Sequence, residues 1–284
     1  MLIPFEYIKF NSLKETSRFL EEHNDDAHIL AGGTDVLIKI RSRKITPKYL
    51  VDLKGIEELK GIRREGNKII IGSLTLINEL IENELIKEYF PLLRDGASYL
   101  GDYEIRNRAT IGGNICNAST SADTVIPLLV YNTRVIISKG DMERVEDLSG
   151  FFKGPGRVNL KPGEILKSIE LEIFDFPVEG KFFRISRVEG MDLASLNMAI
   201  LVENPKNTKK RKVRISIGAV APVPLRVYEL ENFLEGKEFN EEVFEKAKEI
   251  LLSNLKPRKS SLRSDPEYKK RMAVNYLSWL FREI

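Results

Sequence analysis

Residues 27–41 read AHILAGGTDVLIKIR, and residues 105–129 read IRNRATIGGNICNASTSADTVIPLL. In the first, the short apolar run Ala27 to Ala31 has strand character, Gly32-Gly33 breaks it, and Thr34 or Asp35 opens a helical turn carrying Val36, Leu37 and Ile40. Strand, glycine turn and helix start are therefore contiguous. In the second, a charged run from Asp102 to Arg108 leads into Thr110-Ile111-Gly112-Gly113-Asn114, and Asp123 to Tyr131 reads as a buried helix.

Glycine pairs of this kind suit a diphosphate. Without a Cβ, consecutive backbone N–H groups can face one concavity and balance buried negative charge. Thr34 adds a hydroxyl beside Ala31, Gly32, Gly33 and Asp35, and Thr110 and Asn114 flank the second pair as further donors. The spacing is not G-x-G-x-x-G and no Walker lysine follows, which excludes the ordinary dinucleotide fingerprint and the P-loop. Either pair alone is most simply a structural turn. Together they form two halves of a clamp.

The elements around them alternate and then change character. Ser12 and Glu15 have the spacing of a capping box, Tyr49 to Leu53 reads as a strand, residues 62–72 as a hairpin, and Thr75 as the start of a helix. Strands dominate from about 132 to 174 and again over 181–188, 195–203 and 212–221. The signal then turns helical, ending in a helix capped by Asp265 with Pro266 at its first position. This order predicts α+β architecture: residues 1–174, subdivided near 55–60, followed by a smaller α+β unit over 175–284.

Composition narrows the function. The chain has 45 Lys+Arg against 42 Asp+Glu over 284 residues, a near balance that argues against a dedicated nucleic-acid binder. No apolar stretch approaches membrane-spanning length and no basic start precedes an apolar run, so a cytoplasmic protein is expected. One cysteine, Cys116, cannot supply four thiolates to an iron–sulfur cluster, and two histidines leave hydrolysis through a histidine base poorly supplied. Cys116 reads as a small buried filler. His23 and His28 read as surface or capping residues, and no metal is assigned to them. Arg106 and Arg108 either counter phosphates or pair with Asp102 and Glu104. Lys206 to Arg214 reads as a solvated hairpin turn, and Trp279 as a core or interface anchor.

AGGTDVLIKIR, IGSLTLINEL over 71–80 and above all the 105–129 motif resemble the medium, FAD-binding subunit of the molybdenum hydroxylases, the group of xanthine dehydrogenase, carbon monoxide dehydrogenase and aldehyde oxidoreductases. The likeness runs over nearly the whole chain, including Gly163 to Leu166, Arg187 to Ala194 and Pro266 to Arg271. It implies a two-part FAD-binding domain of the vanillyl-alcohol-oxidase (PCMH) type, followed by a smaller domain of the CO-dehydrogenase flavoprotein type. It implies that electrons from a molybdenum cofactor on a large partner subunit pass through two [2Fe–2S] clusters on a small partner to FAD here, and then to an external acceptor. Substrate choice would fall to the molybdenum subunit.

Carried over by residue, Ala31, Gly32, Gly33, Thr34 and Asp35 with Thr110, Ile111, Gly112, Gly113 and Asn114 would contact the pyrophosphate. Asn117, Ser119 and Asp123 match positions that reach the ribityl or nucleotide part. Asp123 is chemically apt as an acceptor, and it is equally placed to cap the helix over 124–131. Leu166, Arg184 and Leu193 match positions near the isoalloxazine. Arg184 stands where lysine is common, and Leu193 where some relatives carry an aromatic residue. A standalone flavin oxidase or reductase on the same fold is the alternative reading. No catalytic acid or base is assigned.

Overall fold

The computed structural model describes residues 4–259 and 264–284. The chain opens with alternating elements: β1 (Glu6–Lys9), α1 (Leu13–Glu22), β2 (Ala27–Leu30), α2 (Val36–Arg41) and β3 (Tyr49–Asp52). The strands form a three-stranded parallel sheet in the order β1-β3-β2. Ser12 caps α1, its hydroxyl accepting from Glu15 N at 3.5 Å, as the sequence predicts. His23 closes the same helix and stacks on Phe19 at 4.1 Å, which is the capping role read from sequence. His28 differs: it lies half-buried in β2 with Nδ1 unpartnered, and burial pushes its pKa down.

A second layer runs from β4 (Ile62–Glu65) and β5 (Lys68–Gly72) through the short helices α3 (Ile77–Glu82), α4 (Glu84–Tyr89), α5 (Pro91–Ser98), α6 (Tyr103–Arg106), α7 (Ile111–Asn117) and α8 (Val125–Val130). It continues with β6 (Arg134–Lys139), β7 (Met142–Asp147), α9 (Leu148–Phe151), the small ribbon β8 (Phe152–Gly154) and β9 (Arg157–Val158), and β10 (Ile165–Glu172). The main sheet is antiparallel in the order β4-β5-β10-β6-β7. Its inward residues, Ile69, Ile71, Val135, Ile137, Ile169 and Leu171, pack against the helices as one core. Tyr131 anchors this core, its hydroxyl accepting from Leu92 N at 3.2 Å. The helix read as opening at Thr75 starts at Ile77. Thr75 instead donates its hydroxyl to Gly61 O at 3.0 Å, and Glu79 receives Leu76 N at 2.9 Å at the true start.

The last layer comprises β11 (Val178–Ile185), β12 (Leu196–Glu203), β13 (Lys212–Gly218) and β14 (Leu225–Arg226), in that order in an antiparallel sheet, then α10 (Tyr228–Leu234), α11 (Glu241–Asn254) and α12 (Pro266–Glu283). It has its own core, in which Trp279 meets Phe183 edge-on at 5.9 Å. Asp265 caps α12 through Glu267 N and Tyr268 N, as read from sequence. Of the Lys206 to Arg214 stretch read as a solvated turn, Lys206 to Arg211 forms the turn joining β12 to β13, but Arg211 is buried and Lys212 to Arg214 belong to β13 itself. Every residue of β12 is buried, because the strand has the C-terminal helices on one face and α8 with its preceding loop on the other.

Two predictions follow from this packing. A Cβ on Gly112 would lie 2.5 Å from Ser73 Cβ and 2.6 Å from Ser73 O, so Gly112→Ala is expected to lower stability by about 1–3 kcal/mol in denaturant titration. Glu164, Glu170 and Asp52 have pKa values held down by cationic partners, Arg144 for the first, Lys68 and Arg134 for the second and Lys54 for the third. A depressed carboxylate adds stability above its unfolded pKa and loses it as pH falls through the folded value. The thermal midpoint is therefore expected to fall as pH drops below about 4.5, and less steeply in Glu164→Gln.

Candidate functional site

At the end of β2 the chain turns through Ala31, Gly32, Gly33 and Thr34 into α2, with Gly33 at φ +84°, a conformation that glycine adopts without strain. Leu37 N donates to Gly33 O at 3.2 Å, and Lys39 N to Asp35 O at 3.0 Å. Among the described residues, no acceptor receives the N–H groups of Gly32, Gly33, Thr34, Asp35 or Val36. Five successive amides without an acceptor among the described residues, on a turn half-buried over Gly32 to Thr34, leave donors of the kind that bind phosphate oxygens. Asp35 precedes α2 without capping it through its side chain.

The second glycine segment is built differently. Ile111 N donates to Thr75 O at 3.0 Å, Gly112 N to Ser73 O at 2.8 Å, Gly113 N to Thr110 Oγ1 at 3.1 Å and Asn114 N to Thr110 O at 3.0 Å. The amides of Ile111, Gly112, Gly113 and Asn114 are thus paired within the protein. The two loops therefore do not contribute alike, as their sequences suggested. Gly112 is needed where α7 rests on Ser73. Gly113 alone faces the first segment, a Cβ there lying 3.8 Å from Ala31 Cβ. A Cβ on Gly32 would overlap the Arg108 carbonyl oxygen and lie 2.8 Å from its carbon, so the loops meet backbone to backbone. Lys39 Nζ spans them to Asn117 Oδ1 at 2.7 Å.

Further along, Asn114 Oδ1 accepts from Thr124 Oγ1 at 2.6 Å, and Ser119 lies 3.4 Å from Ser121, hydroxyl to hydroxyl. Asp123 is buried and does not cap α8. Its carboxylate accepts from Asn197 Nδ2 at 2.7 Å and from Arg184 Nε at 3.2 Å. Burial pushes this carboxyl up, and the Arg184 guanidinium and the Asn197 amide oppose the rise. Arg184 lies over the Tyr99 ring at 5.1 Å. Leu166 belongs to the main core in β10, whereas Leu193 is 48% exposed on the loop between β11 and β12. Cys116 packs on the main core with its thiol pushed up to about 12 by burial, which fits the filler role. Arg106 forms no ion pair with Asp102 or Glu104. It donates to Asn78 Oδ1 and to the carbonyls of Ser98, Leu100 and Gly101, while Asp102 caps α6.

A cleft of about 570 Å³ opens beside the meeting point of the loops, walled by Ala31, Gly32, Arg108 and Thr110 on one side and by the 60–62 and 74–76 segments on the other. Three cations line it: Lys54, Lys60 and Arg108. Of the candidate site residues singled out in sequence, Ala31, Gly32, Arg108 and Thr110 reach this cleft; Asn117, Ser119, Asp123, Leu166, Arg184 and Leu193 lie outside its walls. Lys54 was missed. It is held by Asp52 Oδ1 at 2.7 Å and by Ala31 O at 3.3 Å. The signal was present, since Lys54 follows β3 just as the glycines follow β2, and parallel neighbours deliver their C-terminal ends to one edge.

Residues 3–171 match the model of the FAD-binding domain in molybdopterin dehydrogenase, and residues 181–284 match that of the CO dehydrogenase flavoprotein C-terminal domain. The xanthine dehydrogenase FAD-binding subunit of Escherichia coli O157:H7 is 34% identical, covering 87% of this chain and 84% of its own length. The glyceraldehyde dehydrogenase medium chain of Sulfolobus acidocaldarius is 28% identical, with 99% and 98% covered. A solved carbon monoxide dehydrogenase from Hydrogenophaga pseudoflava superposes at a TM-score of 0.91 with 29% identity, over 99% of this chain and 96% of that one. These matches carry the two-part PCMH-type architecture with its C-terminal α+β domain, and the chain belongs to the FAD-binding subunits of the molybdenum hydroxylases.

Proposed function

We propose that this chain holds FAD with its pyrophosphate on the Gly32 to Val36 amide array, accepts electrons from [2Fe–2S] clusters of a small partner subunit, and passes them to an external acceptor. A large subunit with the molybdenum cofactor would supply those electrons. The observation that carries the reading is the row of five unpaired N–H groups, which supplies a diphosphate with donors otherwise satisfied only by water. Charge supports it: Lys54, Lys60 and Arg108 line the cleft beside the Gly32 turn.

The residues divide the work. Gly32, Gly33, Thr34 and Asp35 present amides, and Ala31 is pinned by Lys54. In the second segment Thr110 offers its hydroxyl, Gly113 gives close approach, and Ile111, Gly112 and Asn114 hold α7 in place. Asn117, Ser119 and Asp123 are proposed to face the ribityl and nucleotide part, and Leu166, Arg184 and Leu193 the ring system. Bound FAD supplies a redox centre able to exchange electrons with both one-electron and two-electron partners. The single cysteine leaves the cluster ligands to another chain.

Full-length protein given FAD is expected to turn yellow and retain the flavin through gel filtration. Gly33→Ala, forced onto φ +84°, is expected to weaken retention by roughly tenfold or more through loss of aligned amides, measured by flavin fluorescence titration. A colourless wild-type protein that ignores FAD would sink the reading. A tagged chain purified from its native host should bring down two partners, one with molybdenum and one with the absorbance of [2Fe–2S] clusters; recovery of a lone flavoprotein with full turnover would favour a standalone oxidase.

A further inference from the structure

Across β11, β12 and β13 one row of register partners reads Arg184, Asn197, Gly218. The row faces the loop between α7 and α8. Asn197 is fully buried in a strand whose neighbours Leu196, Met198, Ala199, Ile200, Leu201 and Val202 are apolar. Its Nδ2 donates to Asp123 Oδ1 at 2.7 Å and to Ser121 O at 3.2 Å, while Arg184 Nε donates to Asp123 Oδ2 at 3.2 Å. Each carboxylate oxygen thus has its own donor, and both donors come from the C-terminal sheet.

We infer that Asn197 is a positioning residue of the flavin site, fixing the Asp123 carboxylate in concert with Arg184 so that it can accept from the cofactor. The inference rests on the FAD reading above. A carboxylate held by one donor can turn about its Cβ–Cγ bond, and a second donor on the other oxygen stops it. Arg184 cannot do both tasks, because its remaining nitrogens go to Ser186 Oγ at 3.0 Å and to the Asp192 carbonyl. Gly218 completes the device. A Cβ there would overlap Asn197 Oδ1 and lie 3.0 Å from Thr120 O, and the next residue donates Ala219 N to Thr120 O at 2.7 Å.

The chemistry of the amide itself argues for this role over packing. Asn197 Oδ1 is buried with no donor. Leaving an acceptor unpaired is unfavourable, and leucine, of similar size, would avoid it in this apolar strand. The amide is of use here only through its N–H groups, and those go to Asp123 and Ser121.

The test is a double-mutant cycle in the full chain between Asn197→Leu and Asp123→Asn, read by FAD dissociation constant, by the visible absorption bands of bound flavin and by the thermal midpoint of the flavin-free chain. Asn197→Leu is expected to weaken FAD binding roughly tenfold, the worth of one hydrogen bond to a charged group, and to shift the flavin bands. In the Asp123→Asn background it should have no further effect on binding. Should Asn197→Leu fail to fold, Asn197→Ser carries the same comparison. Wild-type affinity and bands in the variant that folds, or additive losses in the cycle, overturn the inference while leaving the FAD reading intact. Failure of the wild-type chain to take up FAD overturns both.

Discussion

The Cα of Gly32 lies so close to the Arg108 carbonyl that no side chain fits between them. This one approach, between the end of the parallel sheet and the lead-in to α7, sets the relation of the first two layers. In the same turn the amides of Gly32 to Val36 find no acceptor among the described residues. The approach brings Gly113 opposite Ala31 and opens the cleft with Lys54 and Arg108 in its walls. A Cβ at Gly32 would separate the loops and dissolve both features together.

The second junction is held by polar groups instead. α8 has only six residues, all of them buried, and a short helix leaves its last carbonyls without intrahelical partners. The C-terminal sheet supplies the donors: Ser216 Oγ to Ile126 O at 2.6 Å, Arg226 to Leu129 O at 2.7 Å and Arg214 to Val130 O at 3.1 Å. Arg226 and Arg214 are themselves neutralised by Glu231 and Glu203. Buried cations placed in this way are tolerated because every charge has a partner. The loop of 117–124 is thus gripped from the first layer by Lys39 and from the last by Arg184 and Asn197.

Where sequence reading succeeded, the deciding contacts were local. Ser12, Asp265 and Pro266 act within one helical turn, and the 62–72 hairpin closes across a two-residue link. It faltered where a side chain had a distant alternative. Thr75 reads as a helix start but finds Gly61 O, and Asp123 reads as a cap but finds two donors more than 60 residues away. None of these partners is visible at short range in the chain.

The glycine segments show the same division. The sequence by itself determined that AGGTD and TIGGN are turns before helices, that the chain is α+β with strands giving way to helices, and, through the 105–129 motif, which family it resembles. Only the tertiary structure decided that the two segments are unlike: the amides of Gly32 to Asp35 find no acceptor among the described residues, while those of Ile111 to Asn114 are spent on Ser73, Thr75 and Thr110. The physical reason is that a glycine in a sequence announces only that a side chain is missing. Whether the space left free goes to a ligand or to neighbouring backbone, as at both Gly32 and Gly112, depends on what the rest of the fold brings there.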